Sequence, residues 1–311
     1  MTANLTAKDA KDLAAHLSTV AEGDVETGKP LAPYTSYGIG GPTAIWAAPR
    51  SPLGVQRVLE TVHAAGAPLF VLGRGTNVLV SDRGWPGVTL YIGENLKGMQ
   101  FADLEADVLA GTLLMDLIGA AMSRGLGGME VLAGIPGGLG GALRMNAGAF
   151  GREIESLTLE ATGFTTDGRP FRAARRDLTF AYRRAPDLER VIITSARFRF
   201  QPETPQTLRS RADEILALRA RKQPLEHPSC GSVFKRPPGY YAGALIEETG
   251  LKGERIGGAE VSRKHAGFIL NVAEATAADV YRLIRLVEER VFARFGVRLE
   301  REVQLVGDFS L

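Results

Sequence analysis

The spacing of apolar residues along the chain predicts several amphipathic helices. In the first of them Leu13 and Leu17 lie on one face, and the side chain of Thr6 can accept a hydrogen bond from the first turn. Thr112 and Thr276 precede similar patterns, so we predict that both are N-caps. The predicted helices cover residues 6–19, 52–65, 113–124, 206–221 and 242–249, with a long one after Thr276.

Shorter apolar runs bounded by turn residues predict β-strands between these helices. Residues 68–72 read as a buried strand, and residues 154–200 as a run of strands with a hairpin turn at 166–169. Helices and strands are mixed along the chain, so the predicted fold class is α+β. The predicted strands are 44–47, 68–72, 78–80, 88–92, 99–101, 107–110, 157–162, 190–200, 267–272 and 303–306.

A glycine-rich stretch at residues 131–151 interrupts these patterns. Glycine weakens helices and strands, so a soluble domain orders such a stretch where something approaches the backbone closely. The usual ligand is a phosphate or diphosphate held by peptide N–H groups. The alternative is a mobile surface loop, which we disfavour because Ile135, Leu139, Leu143 and Met145 can anchor the stretch to a core. Together with a second glycine turn at 73–77, it predicts a dinucleotide-like cofactor.

Composition and the absence of certain motifs argue against several other classes of function. The 311 residues are 45% hydrophobic with a formal net charge of +2, which gives no support for nucleic acid or a membrane as a partner. Cys230 is the one cysteine, and with four histidines it forms no metal-ligand pattern, so we expect neither a disulfide nor a metal. No G-x-G-x-x-G opens a helix and no P-loop occurs. The start mixes Asp with Lys, so we expect no signal peptide and a cytoplasmic protein.

Several short motifs occur in a particular order along the chain. They are GIGGP at 38–42, GRGTNVLVSD at 73–82, GIPG at 134–137, MNAGAFG at 145–151, YR at 182–183, GSVFK at 231–235, IGGA at 256–259 and EV at 302–303. In this order they resemble the UDP-N-acetylenolpyruvoylglucosamine reductase family, also called UDP-N-acetylmuramate dehydrogenases, over residues 34–307. No long tyrosine-bearing insertion follows Tyr241, which is similar to the family's shorter form.

The resemblance implies a fold, cofactors and a reaction. The fold is an FAD-binding fold of the vanillyl-alcohol-oxidase type over residues 1–204, in subdomains of about 1–95 and 96–204. A smaller α+β substrate-binding domain covers 205–301, and 302–311 returns to the FAD domain. NADPH is the implied reductant. The implied reaction reduces the enolpyruvyl group of UDP-N-acetylglucosamine enolpyruvate to UDP-N-acetylmuramate for peptidoglycan synthesis, with hydride from the flavin N5.

Three catalytic residues are implied by the same motifs. Arg183 stabilises charge on the substrate carboxylate, for which a planar guanidinium is suited. Ser232 donates the proton, and Glu302 orients the enolpyruvyl group or relays the proton. Cys230 is a rival donor, since a thiol is intrinsically more acidic than a hydroxyl and could share a strand face with Ser232. Arg301 replaces the usual proline before the glutamate.

The binding residues are also carried over from the family. Two departures from its pattern are Arg236, where asparagine is common, and Ala185, where serine is common. The predicted cofactor residues are Gly73, Arg74, Gly75, Thr76, Asn77, Gly134, Ile135, Pro136, Gly137, Gly138, Gly141, Asn146, Ala147 and Gly148. The predicted substrate contacts are Tyr182, Lys222, Lys235, Tyr240 and His265.

Two other functions compete with the reductase. Another FAD oxidase or dehydrogenase would share the cofactor motifs, but the motifs around Ser232 and Glu302 favour the reductase. A non-catalytic nucleotide-binding module would need the glycine loops alone. The expected partner is a small molecule, without an obligate protein partner.

Overall fold

The computed structural model describes residues 5–310. Its helices are α1 (Ala7–Val20), α2 (Pro52–Ala64), α3 (Leu114–Ser123), α4 (Leu139–Arg144), α5 (Pro205–Lys222), α6 (Ala242–Glu248) and α7 (Ala277–Phe295). Its strands are β1 (Gly23–Pro30), β2 (Pro42–Pro49), β3 (Leu69–Leu72), β4 (Val78–Val80), β5 (Trp85–Tyr91), β6 (Met99–Ala102), β7 (Glu105–Leu109), β8 (Leu126–Gly127), β9 (Gly148–Ala149), β10 (Arg152–Glu153), β11 (Thr158–Thr165), β12 (Pro170–Ala174), β13 (Val191–Arg199), β14 (Gln201–Pro202), β15 (Arg255–Ile256), β16 (Ala259–Val261), β17 (Ile269–Asn271) and β18 (Gln304–Val306).

The chain divides into two compact units. The first contains the residues up to Gly28 together with Ala44–Arg74 and Gly87–Arg219, and the second contains Lys29–Thr43, Gly75–Pro86 and the residues from Ala220 onward. These bounds differ from the predicted domains, because most of α5 packs with the first unit and two early segments pack with the second. The binding roles given to the predicted domains stay predictions.

The first unit is built on two larger sheets. One has the order β1-β2-β5-β3, with β3 and β5 parallel, and the other is an antiparallel sheet of order β12-β11-β13-β7-β6. Apolar side chains from both sheets and from α1 to α4 form one continuous core. Burial of this apolar surface is the main driving force for folding.

The second unit has its own core and smaller sheets. Strands β15, β16 and β17 form an antiparallel sheet, and β18 pairs in parallel with β4. The long helix α7 buries Val280, Leu283, Ile284 and Val287 in this core. The β4–β18 pair joins residues more than 200 positions apart in sequence, which no local pattern could specify.

The predicted helix caps are confirmed at both ends of the chain but not in the middle. Thr6 caps α1 by accepting from the Asp9 N–H, and Thr276 forms a capping box with Asp279 at α7. The prediction for Thr112 was wrong, since α3 begins at Leu114. The Thr112 hydroxyl instead accepts from the Gly98 N–H at 3.0 Å and donates to its carbonyl, tying α3 to a neighbouring loop.

Two predictions need correction, one about the strand β3 and one about the glycine-rich stretch. The strand β3 was expected to be buried, but Val71 is exposed, because β3 is the edge of its sheet and pairs only with β5. The glycines at residues 131–151 were expected to disfavour regular structure, yet this stretch contains α4. Leu139, Ala142 and Leu143 recur at helical spacing and are buried, so packing outweighs the low helix propensity of the glycines. Within residues 5–310 no helix is long and apolar enough to cross a membrane.

Candidate functional site

Two of the predicted cofactor segments meet in the first unit. A Cβ placed on Gly138 would lie 3.3 Å from the Cγ of Arg74 and 3.1 Å from a backbone carbonyl oxygen. The Arg74 guanidinium lies 3.0 Å from the carboxylate of Glu94, which holds the arginine in place. The structure therefore brings the turn after β3 against the start of α4, as a shared cofactor site requires.

Unpaired backbone donors mark these two segments. The N–H groups of Gly73, Arg74, Gly137, Gly138 and Gly141 donate to no other described residue, although Gly138 is buried. An added Cβ would meet nothing within 4 Å at Gly141, and a single carbonyl oxygen 3.9 Å away at Gly73. The protein itself therefore does not require glycine at these two positions. Unpaired N–H groups beside open glycines fit the diphosphate of FAD.

Other predicted cofactor residues have reasons within the protein. A Cβ on Gly75 would lie 2.0 Å from the Tyr34 carbonyl oxygen, and the Asn77 side-chain amide donates to the carbonyl of Glu302 at 3.0 Å. Gly134 has φ +81 and is closely approached by the side chain of Arg219. These three residues shape the backbone, whatever they contribute to a ligand.

The side chain of Asn146 is hydrogen-bonded within the first unit. It is buried, its amide donates to the Glu153 carboxylate at 2.6 Å and to the Ala181 carbonyl at 3.2 Å, and its side-chain oxygen accepts from the Glu155 N–H at 3.4 Å. A side chain with these bonds positions the segments around it. The predicted contact with the flavin would therefore come from the backbone of residues 146–148, and it stays a prediction.

The remaining cofactor candidates lie in the same two segments. Ile135 is partly buried against the core of the first unit, and Ala147 is buried in it. Pro136 is exposed, and Thr76 is partly exposed in the turn after β3. The structure thus places one side of each segment in protein and leaves the other side accessible.

Arg183 stands at the tip of a tight turn that begins at Ala181. The backbone groups of Ala181 and Arg184 exchange two hydrogen bonds, of 2.8 and 3.0 Å, so Tyr182 and Arg183 are the two central residues. Arg183 has φ +56, a conformation that costs a non-glycine residue free energy. Its Nη1 donates to the Gly148 carbonyl at 3.2 Å. Backbone strain at an arginine held in this way is typical of a functional position.

Ser232 and Glu302 lie on neighbouring segments of the second unit. The carbonyl of Val233, next to Ser232, accepts from the Glu302 N–H at 2.8 Å, and the Val233 N–H donates to the Gly267 carbonyl at 2.9 Å. Phe234 pairs with Arg301 in the same ladder. Two of the three predicted catalytic residues, 70 positions apart in sequence, are thus brought together by backbone pairing.

The rival proton donor, Cys230, is buried in the core of this unit. Burial raises its pKa to about 12, and the carboxylate of Glu302 contributes to the rise by like-charge repulsion. The buried hydroxyl of Tyr37 interacts with the thiol, and the pKa of Tyr37 is raised by burial as well. Cys230 is buried in an apolar core, whereas Ser232 is partly exposed, so Ser232 is the better placed of the two to reach a substrate.

The predicted substrate contacts in the second unit differ in environment. Lys235 forms a 2.5 Å ion pair with Glu300, and Lys222 and Tyr240 are exposed. Burial, and secondarily the charge of Lys252, lowers the pKa of His265. The Nδ1 atom of His265 accepts from the Gly267 N–H at 3.1 Å, so the neutral ring keeps Nε2–H as a donor.

The departures from the family's pattern have local explanations. Arg236 lies over the ring of Tyr241, 4.0 Å from its centroid. Ala185 is fully buried in the core of the first unit. Arg301 binds Glu288 of α7 through two hydrogen bonds of 2.5 and 2.7 Å, which fixes the backbone before Glu302 without a proline.

Two family profiles match the chain. That of the FAD binding domain covers residues 43–174, and that of the UDP-N-acetylenolpyruvoylglucosamine reductase C-terminal domain covers residues 223–306. They confirm the predicted α+β FAD-binding fold with a separate C-terminal domain. The protein is a flavin-dependent oxidoreductase with FAD as its cofactor.

Similar proteins identify the family. A UDP-N-acetylenolpyruvoylglucosamine reductase of Agathobacter rectalis is 40% identical over 294 residues, which cover 90% of this chain and 93% of that protein. One of Syntrophomonas wolfei is 40% identical over 285 residues, covering 91% and 95%. The crystal structure of the reductase from Thermus caldophilus has a TM-score of 0.77 at 35% identity and covers 92% of this chain and 99% of that one. The chain belongs to the UDP-N-acetylenolpyruvoylglucosamine reductase family.

Proposed function

We propose that this protein reduces the enolpyruvyl group of UDP-N-acetylglucosamine enolpyruvate to UDP-N-acetylmuramate, a precursor of peptidoglycan, with NADPH as reductant. The observation that carries the proposal is the pairing of the Ser232 and Glu302 segments about Val233, within the stretch that matches the reductase C-terminal domain. Both segments lie outside residues 43–174, which match the FAD binding domain, so a shared FAD-binding fold does not account for them.

The reduction adds a hydride to one carbon of the enol ether and a proton to the other. When bound, FAD supplies the hydride from N5 after its reduction by NADPH. The chain's own residues bind the substrate, stabilise developing charge and deliver the proton.

Arg183 is the proposed electrophilic residue. As negative charge builds on the carboxylate in the transition state, a guanidinium can bind both oxygens through two charge-assisted hydrogen bonds. The turn and the bond to the Gly148 carbonyl restrict the side chain before substrate arrives. Such preorganisation lowers the cost of stabilising the transition state.

Ser232 is the proposed proton donor, with Glu302 as its partner in the second unit. A hydroxyl is a weak acid, so the transient alkoxide needs stabilising neighbours. Asn77 and Val233 hold the backbone of Glu302 by hydrogen bonds on its carbonyl and N–H, which fixes where the carboxylate begins. We assign Glu302 to orienting the enolpyruvyl group or relaying the proton.

The other proposed contacts concern the UDP portion of the substrate. Lys222, Lys235, Tyr240 and His265 supply positive charge and donors suited to a diphosphate and its sugar. Tyr182, half exposed beside Arg183, is a further contact. A UDP-sugar and NADPH are cytoplasmic metabolites, so cytoplasmic location is part of the proposal.

Stopped-flow measurement of the two half-reactions tests the function. NADPH should bleach the flavin absorbance, and UDP-N-acetylglucosamine enolpyruvate should restore it. Simple alcohols and sugars should neither reduce the oxidised flavin nor accept electrons from the reduced one. Reoxidation by the substrate no faster than in buffer, under anaerobic conditions, would refute the proposal.

A further inference from the structure

Arg219 is a residue that the sequence motifs did not select. Its helix, α5, is fixed on the first unit by Ala212 and Ile215, which form a small core with Ala133 of the glycine-rich stretch. Arg219 follows Ile215 by four positions, so the two lie on the same face of the helix. Because α5 packs against Ala133, the side chain of Arg219 points toward Gly134, the next residue of the glycine-rich stretch.

The glycine-rich stretch is shaped to admit this side chain. A Cβ on Gly134 would lie 2.6 Å from the Cδ of Arg219 and 3.1 Å from a methyl carbon of Leu216. The guanidinium lies 5.9 Å from the ring centroid of Phe150, which is itself exposed. Glycine at position 134 thus removes an obstacle to Arg219, in addition to permitting φ +81.

The polar end of Arg219 has no hydrogen-bond acceptor among residues 5–310. Its Nε is buried without a hydrogen bond, and no carboxylate of the described residues forms an ion pair with its guanidinium. A buried unsatisfied donor is costly, and its retention in a native structure calls for a ligand or another reason. Arg209, another arginine of α5, is exposed.

A second positive charge lies close to Arg219. Burial lowers the pKa of Arg219, and repulsion from Arg183 lowers it further. Arg183 donates to the Gly148 carbonyl, and Arg219 lies over the ring of Phe150. Gly148 and Phe150 belong to the same short turn. Since guanidinium groups remain charged in proteins, two that repel each other are stabilised by an anion that accepts hydrogen bonds from both.

We propose that Arg219 is a second substrate-binding arginine, which together with Arg183 holds the carboxylate of the enolpyruvyl group. This inference rests on the proposed reductase function and adds a specificity residue to it. A carboxylate has two oxygens, each able to accept from one guanidinium. The pair would select for an acid at the reacting end of the substrate and reject a neutral analogue.

The turn at residues 148–150, shared by Arg183 and Arg219, favours the carboxylate over the diphosphate as the anion. The residues proposed for the diphosphate, Lys222, Lys235, Tyr240 and His265, all belong to the second unit. Arg183 and Arg219 belong to the first unit, and Arg183 is the residue assigned to the reacting group. Lys222 lies only three positions from Arg219 on α5, so the assignment rests on the turn at residues 148–150, which both arginines approach.

Binding of two natural sugar nucleotides to the oxidised holoenzyme tests the assignment. UDP-N-acetylmuramate carries the carboxylate and UDP-N-acetylglucosamine lacks it, while both carry the diphosphate. Calorimetry or the flavin spectrum measures each dissociation constant. We expect Arg219→Gln to weaken UDP-N-acetylmuramate binding by ~10–150-fold, the loss of a charge-assisted bond, and UDP-N-acetylglucosamine binding by less than about twofold. Arg209→Gln removes the same charge from α5 and should change neither.

A conservative variant and an NADPH measurement complete the test. Arg219→Lys, which keeps the charge and the stem across Gly134, should show an intermediate loss even if Arg219→Gln does not retain FAD. Equal weakening of both sugar nucleotides, an unchanged affinity for UDP-N-acetylmuramate, or an effect confined to flavin reduction by NADPH would each overturn the role of Arg219. A wild-type holoenzyme that binds neither sugar nucleotide would instead refute the reductase function on which the role rests.

Discussion

The glycine at position 141 provides a sharp test of the cofactor site. Gly141 is the third residue of α4, has an ordinary helical backbone, and has no atom within 4 Å of an added Cβ. In the protein alone, alanine should therefore fit better than glycine. The prediction is that Gly141→Ala stabilises the apoprotein and at the same time weakens FAD binding.

The two effects have different sizes. Replacing a helical glycine by alanine is worth roughly 0.5–1 kcal/mol, and the short helix places the gain near the lower value. This corresponds to a rise of about 1–2 °C in the Tm of a unit of this size. A methyl group forced against a bound cofactor costs about 1–3 kcal/mol, or ~5–150-fold in the Kd for FAD.

Two measurements on apoprotein separate these effects. Urea unfolding gives the free energy of unfolding, and the quenching of flavin fluorescence on titration gives the Kd for FAD. Gly119→Ala is the matched control, because Gly119 is an exposed residue within α3 that also has nothing within 4 Å of an added Cβ. It should stabilise the apoprotein similarly and leave FAD affinity unchanged.

The reasoning fails in either of two ways. If Gly141→Ala binds FAD as tightly as the wild type, the open glycine is not explained by the cofactor. If it destabilises the apoprotein while Gly119→Ala does not, the surroundings of α4 differ from those described, and the inference drawn from open space at Gly141 is wrong.

The remaining predictions concern the proposed catalytic and substrate residues. Ser232→Ala should slow flavin reoxidation by substrate ~10²–10⁴-fold and leave reduction by NADPH near normal; if Cys230→Ala has that effect in its place, the donor is misassigned. Arg183→Lys should also slow reoxidation severely, because an ammonium lacks the planar fork, and near-normal single-turnover rates would contradict this. Because burial lowers the folded-state pKa of His265 below its ordinary 6.5, its contribution to stability is present above pH 6.5 and is lost as the pH falls through the folded value. Urea unfolding of His265→Gln should accordingly show a smaller loss of stability on acidification below pH 6.5, and an unchanged pH profile would count against it.

The elements that the sequence predicted well are those governed by local contacts. The caps at Thr6 and Thr276 depend on a side chain and a backbone N–H three residues away, so the local sequence contains both partners. Thr112 resembles them in sequence but bonds to Gly98, fourteen positions away. Its role depends on tertiary packing, which the helical pattern after it does not reveal.

The family and its motifs followed from the sequence, whereas the arrangement of residues within the site did not. All four glycines at 73, 75, 134 and 141 look alike in a motif. Only the tertiary structure shows that Gly73 and Gly141 face open space, while Gly75 lies against Tyr34 and Gly134 against Arg219. The sequence shows that Arg219 lies four positions after Ile215. This spacing points to a role for Arg219 only when the packing of α5 on Ala133 is known.

The sequence by itself determined the family, the FAD-binding fold class and the identity of the residues proposed for chemistry, because short motifs and local periodicity carry that information. Tertiary structure alone decided that the segments of Ser232 and Glu302 pair about Val233, that the Asn146 side chain is hydrogen-bonded within the protein, and that the partly buried Arg219 and Arg183 approach the same turn. The physical reason is that these relations join segments far apart in sequence. They form only when burial of two cores fixes the chain, and a local pattern contains no record of the partner.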